Sequence, residues 1–344
     1  METVLMGFSA QKSFHIGEPG EIACARRAGL HLAQQLGFSD VRKGQLALVI
    51  TEAATNIAKH AQRGEILIRS LERDQLLGVE IIAIDRGPGI GDIATQMEDG
   101  NSTTGTYGGG LGAISRLSQE FEIYSVDGQG TVLMMSVWAD QAPVGDEWQV
   151  GVVCLPFPGE DQCGDAWSID TLGHDLNLLV ADGLGHGPEA AKAANAAIAV
   201  MPQHENTSPG GILQCIHLSL RGTRGAAVAI AQISRERHQV GFAGVGNITV
   251  SIFDHNACRQ LLSHNGIVGH NMRKLQELSY HWPREGLLIA HSDGMGTRWD
   301  LQAYPGLAES HPTLIAAVLY RDFNRGRDDV TVVVVREMRG QDYA

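Results

Sequence analysis

The sequence predicts a mixed α/β (α+β) protein in two domains, on three observations. Its 344 residues exceed what one hydrophobic core of ordinary size needs. Short apolar runs of strand length are interleaved with longer stretches of helical periodicity in both halves. Ala139 to Glu147 (ADQAPVGDE) has the composition of a linker, so the domains are expected at 1–138 and 148–344 with 139–147 between them.

Composition narrows the function classes. Hydrophobic residues make up 43% and charged residues 19%, as in an ordinary globular protein. With 39 acids against 26 bases the formal charge is -13, which argues against nucleic acid or an anionic membrane as the main partner. The five cysteines, Cys24, Cys154, Cys163, Cys215 and Cys258, are odd in number and contain no CxxC, so they read as reduced thiols in a cytoplasmic protein. No basic start followed by an apolar run is present in METVLMGFSAQKSFHIGE, so no signal peptide is expected, and no apolar stretch reaches membrane-spanning length.

In the first half, Glu18 to Leu36 reads as an amphipathic helix ended by Gly37. A second helix opens at Asp40 as N-cap and is expected to reach about Ala61, with Leu46, Ile50, Ala53 and Ile57 as its apolar stripe. Glu52, Asn56 and Lys59, spaced four and three, would share another face. Alone this is a solvated helix face; with a nucleotide beside it, an acid, an amide and a cation could address one phosphate-metal group. Glu65 to Leu71 and Leu77 to Ile84 read as strands, the second running into Asp85, Gly87 and Gly89 (DRGPGI). Gly100 to Gly112 (GNSTTGTYGGGLG) then opens a helix expected from Leu111 to Phe121. A glycine-rich entry to a helix offers free N–H groups and the positive end of the dipole to phosphate. Strands at Phe121 to Val126 and Thr131 to Trp138 close the domain around DGQG.

The second half is organised around LLVADGLGHG. Leu178 to Ala181 is a run fit for a buried strand, Asp182 stands at its exit, and the glycines let the backbone turn and approach a ligand. Similar acids recur at Asp165 after a Pro/Gly run, at Asp293 after the strand Leu287 to His291, and at Asp328-Asp329 before the strand Val330 to Val335. One sheet edge could collect them, and crowded carboxylates repel unless cations neutralise them. Trp148 to Leu155, Ala166 to Leu172, Ala226 to Ile233, Gln239 to Ala243 and Asn247 to Phe253 complete the expected strands, with helices at Pro188 to Val200, Gly210 to Leu220 and Pro312 to Tyr320. The pattern suggests two stacked sheets covered by helices.

In order, GD at Asp165, DGLGHG at Asp182, SDG at Asp293 and DDVT at Asp328 resemble the metal-dependent serine/threonine phosphatases of the SpoIIE/RsbX branch, over roughly 148–337. That resemblance implies an α-β-β-α sandwich and two Mn2+ or Mg2+ ions held by Asp165, Asp182, the Gly183 carbonyl, Asp293 and Asp328. The ions would lower the pKa of a bridging water for in-line attack on a phosphoserine, with Asp182 central to catalysis. His186 would have an orienting role, and Asp329 would support the ligands.

TEAATNIAKHA, DRGPGI and TTGTYGGGLGAI resemble the ATP-binding fold of gyrase, Hsp90, histidine kinases and MutL, and within it the RsbT and anti-sigma-factor serine kinases, over about 15–138. The implied fold is an α/β sandwich binding ATP and Mg2+. The resemblance puts Asn56 on Mg2+, Glu52 at the general base, Asp85 on the adenine amino group and Thr131 beside adenine. Lys59, Gly87, Gly89, Thr104, Gly105, Gly108, Gly109, Gly110, Leu111 and Gly112 would complete the nucleotide site. Since 100–112 contains no Lys or Arg, any cation assisting transfer would be Lys59, Arg86, Arg116 or a partner's residue.

Together the two resemblances imply a bifunctional regulator of a bacterial partner switch. One half would phosphorylate a serine of a STAS-domain antagonist protein, and the other would hydrolyse a phosphoserine of the same stress-response pathway. A sigma factor or a stressosome-like complex would be a further partner. The alternative is a phosphatase whose first domain only senses ATP and binds a partner; a third reading has nucleotide gating the phosphatase through the linker.

Overall fold

The computed structural model describes residues 3–6, 11–97, 110–143, 147–201, 207–254, 257–272 and 275–338. Packing divides the chain into two units: Gln11–Val144 with Glu309–Val318, and Met1–Ala10 with Gly145–Ala308 and Leu319–Ala344. The first strand, β1 (Thr3–Met6), belongs to the second unit although it starts the chain.

The first unit begins with β2 (Lys12–Ile16) and α1 (Pro19–Gln35). Glu21 closes a capping box at the helix start, its carboxylate accepting from Glu18 N at 2.8 Å and from Gly17 N at 2.7 Å. Next come α2 (Asp40–Asn56), β3 (Gly64–Arg73), β4 (Leu76–Asp85), α3 (Ile93–Met97), α4 (Gly110–Leu117), β5 (Glu120–Ser125) and β6 (Thr131–Trp138). The strands form an antiparallel sheet in the order β2-β3-β4-β6-β5. Alternate residues Ile66, Ile68, Val79, Ile81, Leu133 and Met135 join Leu46, Val49, Ile50 and Ile114 of the helices in one core. Arg69 and Glu80, opposite each other on β3 and β4, form a buried ion pair, and Thr313 Oγ1 donates to the same carboxylate at 3.1 Å.

Two expectations for α2 need correction. Ser39, not Asp40, is the N-cap, its hydroxyl accepting from Arg42 N at 3.2 Å. The α-helix also stops at Asn56, and Ile57–Ala61 continues as a π-turn instead of carrying the helix to Ala61. The helix after the glycine-rich stretch is shorter than expected, because β5 already starts at Glu120.

In the second unit follow β7 (Trp148–Leu155), β8 (Asp165–Leu172), β9 (Asp175–Gly183), α5 (Pro188–Ile198), α6 (Pro209–Ser219), β10 (Ala226–Ser234), β11 (Gln239–Val245) and β12 (Thr249–Asp254). The remainder is β13 (Ala257–Gln260), β14 (Leu278–His281), β15 (Leu287–His291), α7 (Pro312–Phe323) and β16 (Val330–Glu337), with α7 divided between the units after Val318. A six-stranded sheet runs β1-β8-β9-β10-β11-β14 and a five-stranded sheet β13-β12-β15-β16-β7, antiparallel throughout. Between them lies one apolar core containing Trp167, Leu178, Val180 and Phe242 from the first sheet and Val152, Val250, Leu288 and Val333 from the second. The outer face of the six-stranded sheet is covered by α5 and α6, where Ala194, Ala197, Ile212 and Ile216 meet Leu179, Ala181, Val228 and Ile230. The expected mixed α/β class is therefore the observed one, and its sheets are antiparallel.

Candidate functional site

In the first unit the end of β4 delivers Asp85. Its Oδ1 accepts from Gly87 N at 2.8 Å and from Thr131 N at 3.2 Å, tying the DRGPGI turn to the start of β6. Glycine is required nearby: at Gly130, with φ of 84°, a Cβ would run into the Asp85 carbonyl. At Gly87 a Cβ would lie 2.7 Å from that of Ala61, so this glycine lets the π-turn close on the Asp85 loop. Thr131 is buried and its Oγ1 is 2.9 Å from Ser125 Oγ, which also accepts from Ile90 N at 2.8 Å. Sequence reasoning passed over Ser125; a hydroxyl at the end of an apolar strand was its only signal.

Glu52 and Asn56 stand half-buried on the last turns of α2. Gly110, the first residue of α4, lies directly on them: a Cβ there would be 3.2 Å from Asn56 Oδ1 and 3.7 Å from Glu52 Oε2. The helix entry with the dipole's positive end is thus beside the acid and amide. Leu111 packs on the core and Gly112 is buried. Lys59 is exposed on the π-turn that follows α2. Thr104, Gly105, Gly108 and Gly109 lie outside the described residues. Gly89, with φ of 77°, abuts the Val126 carbonyl.

The second unit gathers its acids from both sheets, not from one sheet edge as expected. Asp165 opens β8 and is the register partner of Asp182 on β9, so both are inside the ladder instead of beyond it. Asp293 follows β15, and Asp328 and Asp329 precede β16, in the other sheet. The side chains of Ser292 and Thr331, from the other layer, lie beside Asp165, and Thr331 N donates to Ser292 Oγ at 3.0 Å. Asp293 accepts from Asn247 Nδ2 at 2.6 Å. Asp329 Oδ1 accepts from Phe157 N at 2.8 Å, and Gly164 N also donates to this carboxylate. Asp328 Oδ1 takes the Asp329 N–H at 3.0 Å. His186 Nδ1 is 2.8 Å from Glu160 Oε1, and its ring packs on Phe157. Asn247, Ser292 and Thr331 were missed as site residues, although the last two stand inside the SDG and DDVT motifs.

The electrostatics of this cluster are unfavourable. Burial, followed by the charges of Asp165, Asp293, Asp328 and Asp329, pushes Asp182 up to about 9. Burial and the charges of Asp329 and Asp328 push Asp165 up to about 7 against the opposing hydrogen bonds from Ser292 and Thr331. Asp293 and Asp329 are raised too, chiefly by burial. Asp165 Oδ2 and Asp329 Oδ2 are buried without a hydrogen-bond partner. Hard oxygen donors in mutual repulsion, two of them orphaned, fit divalent cations. Among the described residues no group of three His, Cys, Asp or Glu side chains closes around a single point, so the acids influence one another's charge without forming a finished coordination shell. Gly183 is buried against α5, where a Cβ would collide with the Ala190 backbone, so only glycine lets β9 and α5 approach this closely.

Comparison with known proteins finds a separate match in each half of the chain. The histidine kinase-like ATPase domain matches residues 17–137, and the stage II sporulation protein E (SpoIIE) domain matches 173–337. The serine/threonine-protein kinase RsbT of Bacillus subtilis (strain 168) is 42% identical over 118 residues, 34% of this chain and 89% of RsbT. A solved chain from work on the bacterial stressosome, described as a modular system adapted to control secondary messenger signalling, is 34% identical. It has a TM-score of 0.53 and covers 56% of this chain and 100% of its own. RsbX in complex with magnesium shares the fold at 22% identity and a TM-score of 0.51, covering 58% of this chain and 99% of its own.

Proposed function

Because the chain belongs to the histidine kinase-like ATPase family and carries a SpoIIE domain, we propose that it is a bifunctional partner-switching regulator. The first unit uses ATP and Mg2+ to phosphorylate a serine on a STAS-domain antagonist protein, and the second hydrolyses a protein phosphoserine of the same pathway. The observation that carries this reading is the convergence of Asp165, Asp182, Asp293 and Asp328 from two sheets, with Asp182 held far above an ordinary carboxylate by burial and then by its neighbours.

In the kinase half, Asp85 receives the adenine amino group and Thr131 flanks the base. Asn56 offers its amide oxygen toward Mg2+, and Glu52 accepts the proton of the attacking serine hydroxyl. Gly110, at the entry of α4 beside Asn56 and Glu52, leaves room for phosphate. Transfer of this kind is mostly positioning and charge stabilisation. In the phosphatase half, Asp165, Asp182, the Gly183 carbonyl, Asp293 and Asp328 would hold two Mn2+ or Mg2+ ions. Such a pair supplies a water acidic enough to act at neutral pH and holds the phosphate oxygens. Asp329 fixes the Phe157 to Gly164 segment, Asn247 aims Asp293, and Ser292 with Thr331 aim Asp165.

The exposed position of Lys59 on the π-turn favours a second reading, in which the first unit binds ATP and a partner without transferring phosphate. Incubation with γ-labelled ATP and candidate STAS proteins separates the two. Label on the partner's serine, later released in a divalent-metal-dependent step, is the expected result. Complex formation without label leaves the module reading, and no metal-dependent release removes the phosphatase.

A further inference from the structure

Cys154, next to the end of β7, and Cys163, in the loop leading to β8, have their sulfurs 3.7 Å apart. The three other cysteines lie elsewhere: Cys24 and Cys258 are exposed, and Cys215 packs with the α6 core. Both members of the pair are half-buried and reduced. A disulfide has sulfurs about 2.05 Å apart, so closing the pair requires an approach of less than 2 Å. Nothing in the hydrolytic chemistry uses these thiols, yet they border it. Cys163 is two residues before Asp165, and Cys154 Sγ accepts from Thr331 Oγ1 at 3.2 Å, a side chain that lies beside Asp165. The loop between them is pinned at Phe157 by Asp329 and at Glu160 by His186.

We propose that Cys154 and Cys163 are a dithiol that closes reversibly to a disulfide, a redox-controlled clip on the loop that delivers Asp165. The oxidant is a low-molecular-weight disulfide. One cysteine thiolate attacks it and releases one small thiol, and the second cysteine displaces the resulting mixed disulfide and releases another. Each bond closed thus converts one small disulfide to two thiols, the two cysteine protons passing to the leaving thiolates, and excess small thiol reverses both steps. In a reducing cytosol such pairs are transient and sensory, not structural. Closing the bond takes the Thr331 hydrogen bond away from a free thiol and draws residues 163–165 toward β7. This consequence rests on the reading of Asp165 as a metal ligand; the disulfide itself does not.

The full chain, equilibrated in oxidised and reduced glutathione and then quenched with acid, is mapped by peptide mass spectrometry. The expected result is a Cys154–Cys163 crosslinked peptide that disappears with dithiothreitol and is absent from Cys154→Ala and Cys163→Ala, each of which guards against misfolding of the other. Free thiols at 154 and 163 in a buffer that glutathionylates exposed Cys24 and Cys258, or a mixed disulfide that never resolves, would overturn the proposal. The oxidised protein should hydrolyse an aryl phosphate roughly 10- to 100-fold more slowly than the reduced one, the cost of displacing a positioned group by about 1 Å. Cys154→Ala should be insensitive to oxidant. A disulfide without any change in hydrolysis refutes the control role, whereas absence of hydrolysis from the reduced protein refutes the phosphatase reading and leaves the peptide map to decide the disulfide.

Discussion

Asp85 and Asp182 are both acids at the end of an apolar strand, followed by glycines, yet their surroundings are opposite. Asp85 receives two backbone N–H donors, from Gly87 and Thr131, and its loop is braced by Ser125. Asp182 faces four other carboxylates, and two buried carboxylate oxygens in the same cluster have no donor. The first arrangement is organised by the chain itself before any ligand arrives. The second is a set of charges that folding brings together at a cost, which a bound cation would turn into stabilisation. The same sequence signature therefore marks a carboxylate served by backbone donors in one unit and a carboxylate crowded by other acids in the other.

Breaking the second site should have the largest effect. Asp182→Ala is expected to lower kcat for a phosphopeptide or aryl phosphate about 10³-fold or more, since several kcal/mol of metal-derived stabilisation disappear, while ATP affinity stays within about twofold. Glu52→Ala should lower the rate of serine phosphorylation about 10²- to 10³-fold with ATP binding nearly unchanged, measured by label transfer and by calorimetry. Equal losses of transfer and binding would make Glu52 a binding residue. Asp85→Ala should weaken ATP binding about 10- to 100-fold, the worth of a charge-assisted hydrogen bond, and leave aryl phosphate hydrolysis untouched.

The smallest effect sharpens the comparison most. Mn2+ at about 100 times its Kd should add about 2.7 kcal/mol and raise the Tm of the second unit by roughly 5–10 °C. Asp182→Asn, which removes a carboxyl that burial and its neighbours force to take up a proton on folding at neutral pH, should raise the metal-free Tm by a few degrees while shrinking the metal-induced shift. Asp85→Asn should bring no comparable gain, because that carboxylate is already served by donors. Scanning calorimetry with and without chelator reads all three, and a lower metal-free Tm for Asp182→Asn would contradict the crowding argument.

Much of this was legible in the chain because the signals are local. Leu178 to Ala181, Leu287 to Ala290 and Val332 to Val335 are unbroken apolar runs, and each of these strands is buried where expected. Asp182, Asp293 and Asp328 are legible for the same reason, since each sits near such a run, whereas Asp165 only follows a Pro/Gly stretch. What local pattern cannot carry is which strands become neighbours. The expectation of one sheet edge failed because Asp165 and Asp182 belong to one sheet and Asp293 and Asp328 to the other, and the bridge between them is made by Ser292 and Thr331. The short strands were overlooked for a different reason. All four residues of β13 are exposed, and β2 buries only Ile16, so neither shows an apolar face. The π-turn at Ile57–Ala61 leaves no compositional mark, and it ends the α-helix at Asn56 instead of near Ala61.

Residues Thr3–Met6 pair antiparallel with Thr171–Ser168, so β1 forms the border of the six-stranded sheet. A hydrolase fragment cut at the apparent linker would lack this strand and present the bare amide and carbonyl groups of β8 to any neighbouring chain, an invitation to edge-to-edge aggregation. Supplying the missing amino-terminal segment as a separate peptide should restore a monodisperse preparation, which makes the first few residues a handle for dissecting the two activities.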